Sequence, residues 1–201
     1  MAARLSRILI ATRNRDKLEE IRSILGASSR DFISLLDFPE LGEIIESGAT
    51  LEDNAFIKAG TAFEKTGIPA IADDTGLEVD ALGGRPGVYS SRFAGEKATY
   101  SENVEKLLRE MKGVPSAKRS AKFRCVAAVV GPGIEQSVDG VCEGTILEAR
   151  RGEGGFGYDP VFWVPEIGMT FAEMSLSDKN AVSHRGRAFR AMAELLKELS
   201  I

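Results

Sequence analysis

One histidine, His184, is all the chain contains. That scarcity excludes a histidine-rich metal centre, and it leaves no Ser-His or Cys-His relay unless this residue supplies it. Cysteine is almost as rare. Cys125 and Cys142 have no paired spacing for zinc and no disulfide framework, and both lie in apolar, strand-like segments, so they read as reduced packing residues. Long apolar runs are missing too. The stretch from Ile8 to Ala11 is too brief for a signal-peptide core and far too brief to span a bilayer, so the chain is expected in the cytosol and off the membrane. Charge of one sign is also lacking: 26 Lys and Arg against 30 Asp and Glu leave a net charge of −4. This balance argues against a polybasic nucleic-acid binder, and any anionic ligand must be met by a local cluster. No G-x-x-x-x-G-K-[ST] occurs, which excludes a Walker loop. With no repeat, low-complexity tract or Pro/Ser-rich linker, the 201 residues read as one domain spanning 1–201, with enough apolar content for a sizeable core.

What is present has a clear order. Arg7 to Ala11 is a β-branched run, followed by Thr12 to Lys17 and then Leu18, Ile21, Ile24 and Leu25 at helical spacing, closed by Gly26. Thr50 and Asp53 form a capping box for a second helix carrying Leu51, Ala55, Ala59, Ala62 and Phe63, which ends at Gly67. A strand from Pro69 follows and is expected to end at Asp73 and Asp74. Thr99 and Glu102 cap a third helix with Val104, Leu107, Leu108 and Met111. Phe123 to Val130 and Ile134 to Ile146 flank Gly131-Pro132-Gly133 as a hairpin. Val182, Phe189, Met192, Leu196 and Leu199 fall on one stripe of a C-terminal helix. Helices alternate with strands in the first half and the second half is hairpin-rich, so the fold class is α/β: a mixed central sheet flanked by helices.

Four groups of residues can carry chemistry. Thr12, Asn14 and Lys17 follow a strand at the opening of a helix, where free backbone N–H groups and the macrodipole attract anions. Lys17 occupies the position where a capping box would use Glu or Gln, with Arg13 and Arg15 beside it. Such a choice suits a phosphate, although a lone lysine there can also point into solvent. Asp73-Asp74-Thr75-Gly76 puts two adjacent acids on opposite faces of a strand end, and Glu46 in the loop before the second helix could add a carboxylate to hold Mg²⁺ beside phosphates. By itself this tetrapeptide also fits a solvated turn. Asn54 and Lys58 share one helix face. Phe156-Gly157-Tyr158-Asp159 offers an aromatic ring against which a base could stack, or a glycine-rich turn burying Phe156. Lys179, His184 and Arg185 lie near the start of the last helix, where a single histidine is more often structural.

T-x-N-x-x-K, ESG, DNAFIKA, ADDTGL, GGRPGVYSSRF, GGFGYDP and SHRGRA, in this order and spacing, resemble the non-canonical purine nucleoside triphosphate pyrophosphatases, the family of inosine triphosphatase and bacterial dITP/XTP pyrophosphatase. The resemblance runs nearly end to end. It implies hydrolysis of ITP, dITP and XTP to monophosphate and pyrophosphate with Mg²⁺, usually in a homodimer, and a bilobed molecule with the active-site cleft between lobes. By position it implies a phosphate-binding segment at Thr12, Arg13, Asn14, Arg15, Asp16 and Lys17, the roles of Arg13 and Arg15 being inferred from charge alone. Glu46 and Asp74 fall on the metal-binding acids, and Asp74 also on the proton acceptor. Thr75 matches a substrate contact, and Asn54, Lys58 and Asp73 match residues around the triphosphate and metal. Phe156, Gly157, Tyr158 and Asp159 match the substrate segment, and Lys179, His184 and Arg185 the base-reading end. Two rival readings are a nucleotide-binding module without turnover and a pyrophosphatase for another nucleotide, such as a modified pyrimidine triphosphate.

Overall fold

The computed structural model describes residues 7–26 and 30–199. Its elements in chain order are β1 (Arg7–Ile10), α1 (Arg15–Leu25), β2 (Asp31–Ser34), α2 (Leu51–Thr66), β3 (Ala70–Val79), β4 (Pro86–Gly87) and α3 (Tyr100–Glu110). They continue with β5 (Ser120–Gly131), β6 (Ile134–Ile146), β7 (Phe162–Val164), β8 (Met169–Thr170), α4 (Leu176–Val182) and α5 (His184–Glu198). The sheet has eight strands in the order β2-β1-β3-β5-β6-β7-β8, with β4 on β3. Strand β1 runs parallel to β2 and β3, whereas β3–β4, β6–β7 and β7–β8 are antiparallel. Only Pro132 and Gly133 separate β5 from β6, too short a connection for anything but an antiparallel hairpin. The expected α/β mixed sheet is therefore what forms. No helix among the described residues is long and apolar enough to cross a membrane.

The chain divides into two compact units: Met1–Asp74, Cys125–Gly140 and Arg185–Ile201 in the first, Thr75–Arg124 and Val141–His184 in the second. In the first, Ile8, Ile10 and Ile71 pack with Leu18, Ile21 and Leu25 of α1 and with Phe189, Met192 and Leu196 of α5. Helix α2 starts at the expected box, with Thr50 accepting from the Asp53 backbone and Asp53 accepting from that of Thr50. It buries Leu51, Ala55, Ala59 and Ala62. In the second unit, Leu77, Val79, Phe93, Val104, Leu107, Met111, Phe123, Phe162 and Phe171 form the core. Helix α3 has its box at Thr99 and Glu102. Both cysteines are buried thiols outside any disulfide.

Two expectations are corrected. Strand β3 does not end at Asp73 and Asp74; it runs on to Val79, with the two acids only 2% and 7% exposed. Leu77 and Val79 continue the apolar pattern and β4 pairs beyond the acids, so the tetrapeptide is mid-strand and not a turn. The C-terminal stripe is likewise split, because Ser183 is extended (φ −69, ψ 159) and its N–H closes α4 on Lys179 O. Val182 thereby packs in the second unit's core, while Phe189, Met192 and Leu196 pack in that of the first.

Candidate active site

The first unit gathers charge around β3. Alternation sends Asp73 to the face of Ile71, where α1 and α5 pack, and Asp74 to the opposite face, where α2 packs. Asp73 Oδ2 lies 3.1 Å from Lys17 Nζ and 3.1 Å from Arg185 Nη2. Arg185 Nη1 donates to Glu20 Oε2 at 2.6 Å, and Glu20 and Arg185 are both buried. Burial opposes charge on Asp73, yet Lys17, Arg185 and Lys58 outweigh it and hold the carboxyl far below its usual range. Burial likewise opposes charge on Arg185, but Asp73 and Glu20 prevail and keep it a cation. Glu20 was not singled out in the sequence, because it lies off the Leu18–Ile21–Leu25 stripe and is buried against Arg185.

At the start of α1, Asn14 Oδ1 accepts from the backbone N–H groups of Asp16 (2.9 Å) and Lys17 (3.1 Å), and Thr12 Oγ1 accepts from Asn14 N at 3.2 Å. Asn14 is thus the expected N-cap, and it occupies two of the N–H groups expected to be free for an anion. Arg13 donates to Gly42 O at 3.0 Å and Phe38 O at 2.9 Å, so it pins the following loop, while Arg15 and Asp16 are exposed.

On the other face, Lys58 Nζ sits 3.2 Å from Asp74 Oδ1 and 3.1 Å from Glu46 Oε1. Burial works against this ammonium, but Asp74, Glu46 and Asp73 together raise its pKa above the ordinary lysine value. Asn54 Nδ2 donates to Asp74 Oδ2 at 3.2 Å. Thr75, next along the strand, is half-buried. No group of three or more His, Cys, Asp or Glu suited to a metal occurs among the described residues. Glu46 and Asp74 nonetheless converge on one ammonium, which marks a place where two hard oxygen ligands meet a cation. Mg²⁺ asks little more of a protein, since it keeps waters and takes its remaining ligands from phosphates. The donor set fits.

The second unit holds a different cluster. Asp159 pairs with Lys179, and its Oδ2 accepts from Phe156 N at 2.8 Å. Gly155 (φ +69) makes room, because a Cβ there would overlap the Asp159 carboxylate. Lys179 Nζ lies 4.7 Å from the Phe156 ring centroid and 5.4 Å from that of Phe171. Phe156 also meets Tyr100 at 5.8 Å. His184 is buried and stacked on Phe123 at 4.5 Å, 15° from parallel. Tyr158 is buried too; its hydroxyl donates to Ser90 O at 2.9 Å, and burial pushes its pKa up. Gly157 between the two rings has φ +61. Tyr100, Phe123 and Phe171 were not anticipated as part of this cluster. In the first unit the Arg185 guanidinium spans Glu20 and Asp73, an engagement with two buried acids that the sequence did not reveal.

Fold and clusters define a mixed α/β protein with an Asn14-capped helix start whose Lys17 meets a buried acid, a carboxylate pair suited to a hard cation, and an aromatic cluster around one ion pair. The Ham1 family model matches residues 8–195, and the chain belongs to that family. It is 50% identical over 193 residues to a dITP/XTP pyrophosphatase of Geobacter sulfurreducens, covering 96% of this chain and 97% of that one. To a dITP/XTP pyrophosphatase of Geobacillus kaustophilus it is 48% identical, covering 96% and 95%. Among solved structures, a HAM1 protein from Coxiella burnetii superposes with a TM-score of 0.87 at 41% identity, covering 96% of this chain and 98% of that one. The family resemblance carried by the sequence motifs is borne out.

Proposed function

We propose that this chain hydrolyses non-canonical purine nucleoside triphosphates, ITP, dITP and XTP, to the monophosphate and pyrophosphate, and that it does so with Mg²⁺. The observation that carries the chemistry is the buried Asp74, set between Asn54 and Lys58 and sharing that lysine with Glu46. The two relatives named dITP/XTP pyrophosphatase, alike over almost the whole chain, support the substrate class.

Glu46 and Asp74 would hold Mg²⁺, which when bound neutralises phosphate charge and acidifies water. In the hydrolysis the water oxygen bonds to phosphorus, the anhydride P–O bond breaks, and the proton goes to the Asp74 carboxylate. Lys58 and Lys17 offset the charge that shifts onto the leaving pyrophosphate. Asp73 holds Lys17 in place and, with Glu20, fixes Arg185. In the second unit, the Phe156 face takes the base, and the Lys179 ammonium, oriented by Asp159, donates to a 6-oxo group, which adenine lacks. The protein is cytoplasmic and works as a homodimer, a state that sedimentation at micromolar concentration tests.

The deciding experiment measures pyrophosphate release from ITP, XTP, dITP, GTP, ATP and modified pyrimidine triphosphates, with Mg²⁺ and with EDTA. The expected result is a kcat/KM for ITP and XTP at least about 100-fold above that for ATP, with loss of turnover in EDTA. Equal turnover of ATP, or nucleotide binding with no release, would overturn the reading.

A further inference from the structure

Asn54 is completely buried on α2, one turn before Lys58. A buried carboxamide is costly unless both ends are satisfied, and here both are. Gly48 N donates to Asn54 Oδ1 at 2.8 Å, and Asn54 Nδ2 donates to Asp74 Oδ2 at 3.2 Å. The neighbours fix the amide's orientation, because a backbone N–H can only donate and a carboxylate can only accept. Gly48 follows Glu46 by two residues, in the segment leading to α2. A Cβ at position 48 would come within 2.5 Å of Asp53 Cβ and 2.7 Å of Asn54 Oδ1, so only glycine lets this N–H reach the amide.

Glu46 and Asp74 are therefore joined twice. One link is the Lys58 ammonium, 3.1 and 3.2 Å from the two carboxylates. A divalent cation held by the same oxygens competes with that ammonium. The other link runs from Asp74 through the neutral Asn54 amide to Gly48, and it leaves the charge balance untouched.

We infer that Asn54 is a positioning residue and not a substrate contact: its amide sets the separation of Glu46 and Asp74, and through it the affinity for a divalent cation. This rests on the reading that these two carboxylates hold the cation. The amide is completely buried between Gly48 N and the Asp74 carboxylate, so no part of it is open to a nucleotide. It ties a loop carboxylate to a strand carboxylate in the way that outer partners orient metal ligands elsewhere.

The test uses Mn²⁺ as probe, its binding to the full chain followed by electron paramagnetic resonance with Mg²⁺ in competition. Asn54→Ala removes both bonds, whereas Gly48→Ala displaces the loop and leaves the donor to Asp74 in place. Both variants should bind Mn²⁺ about tenfold or more weakly. At saturating Mg²⁺, their KM for ITP should stay within about twofold of wild type, a value that loss of a direct substrate contact would move. Hydrogen exchange of the Gly48 amide should accelerate in Asn54→Ala. If Asn54→Ala does not fold, Gly48→Ala still reports the loop's effect on Mn²⁺ affinity. Unchanged Mn²⁺ affinity in the folded variants, against normal binding by wild type, would overturn the role of Asn54 alone. Failure of wild type to bind Mn²⁺, or binding untouched by Glu46→Gln and Asp74→Asn together, would overturn the cation reading and this inference with it.

Discussion

The two clusters bury charge by opposite means. In the first unit four carboxylates, Glu20, Glu46, Asp73 and Asp74, face three cations, Lys17, Lys58 and Arg185, leaving a formal surplus of one negative charge. In the second unit Asp159 and Lys179 balance each other, and the neighbours of that pair are rings: Phe156, Phe171 and, around His184, Phe123. A charge network with excess acid suits a hard cation, whose charge offsets the repulsion that a polyphosphate would otherwise meet from the same acids. A neutral pair among rings suits a flat heterocycle, recognised by stacking and one or two donors.

The largest effect should come from breaking the first network at its most buried cation. Arg185→Ala leaves Glu20 and Asp73 without their shared guanidinium and should cost about 3–5 kcal/mol in urea unfolding. The ratio of ITP to ATP kcat/KM should stay within about threefold in any folded fraction, since this side chain serves the acid cluster; a collapse of that ratio would move Arg185 to the base end. Next, Asp74→Asn keeps the shape of the side chain while removing the carboxylate proposed to accept the proton, and kcat should fall about 100-fold or more, near 2.7 kcal/mol of barrier. Activity within about threefold of wild type would erase the chemical distinction drawn for the first unit. Phe156→Ala probes the other side of the comparison. It should raise KM for ITP about tenfold through lost stacking, with Mn²⁺ affinity unchanged; altered Mn²⁺ binding would blur the division between the units.

The smallest effect is a flat one. Asp73 is held below the ordinary carboxyl pKa of about 3.9, so its stabilisation is complete above that pH and is lost as pH falls through the lower folded value. Lys58 is held above about 10.4, so its stabilisation is complete below that pH and is lost as pH rises through the higher folded value. The gap in Tm between wild type and Asp73→Asn should therefore stay constant from about pH 5 to 9 and narrow only below about pH 4. Narrowing already at pH 6 would show that the three cations do not hold this carboxyl.

Local chemistry was legible in the residues. The boxes at Thr50–Asp53 and Thr99–Glu102 and the Asn14 cap form where expected, and the turn expected over Gly131-Pro132-Gly133 forms with Pro132 and Gly133 between the strands, because each is closed by groups within four residues of one another. The acids on β3 were found but misplaced at a strand end, since two adjacent carboxylates in a buried strand make sense only with their counter-charges in view. Those counter-charges are distant in sequence: Arg185 reaches Asp73 across 112 positions and Glu20 across 165. His184 and Arg185 are neighbours in the chain, yet one stacks on Phe123 and the other spans two buried acids. By itself the sequence determined the caps, the turns, the mixed sheet and which residue types could handle a nucleoside triphosphate, all matters of short-range hydrogen bonding, periodicity and composition. Only the tertiary structure decided which charges meet, because burial makes an ion's partner a property of packing and not of position along the chain.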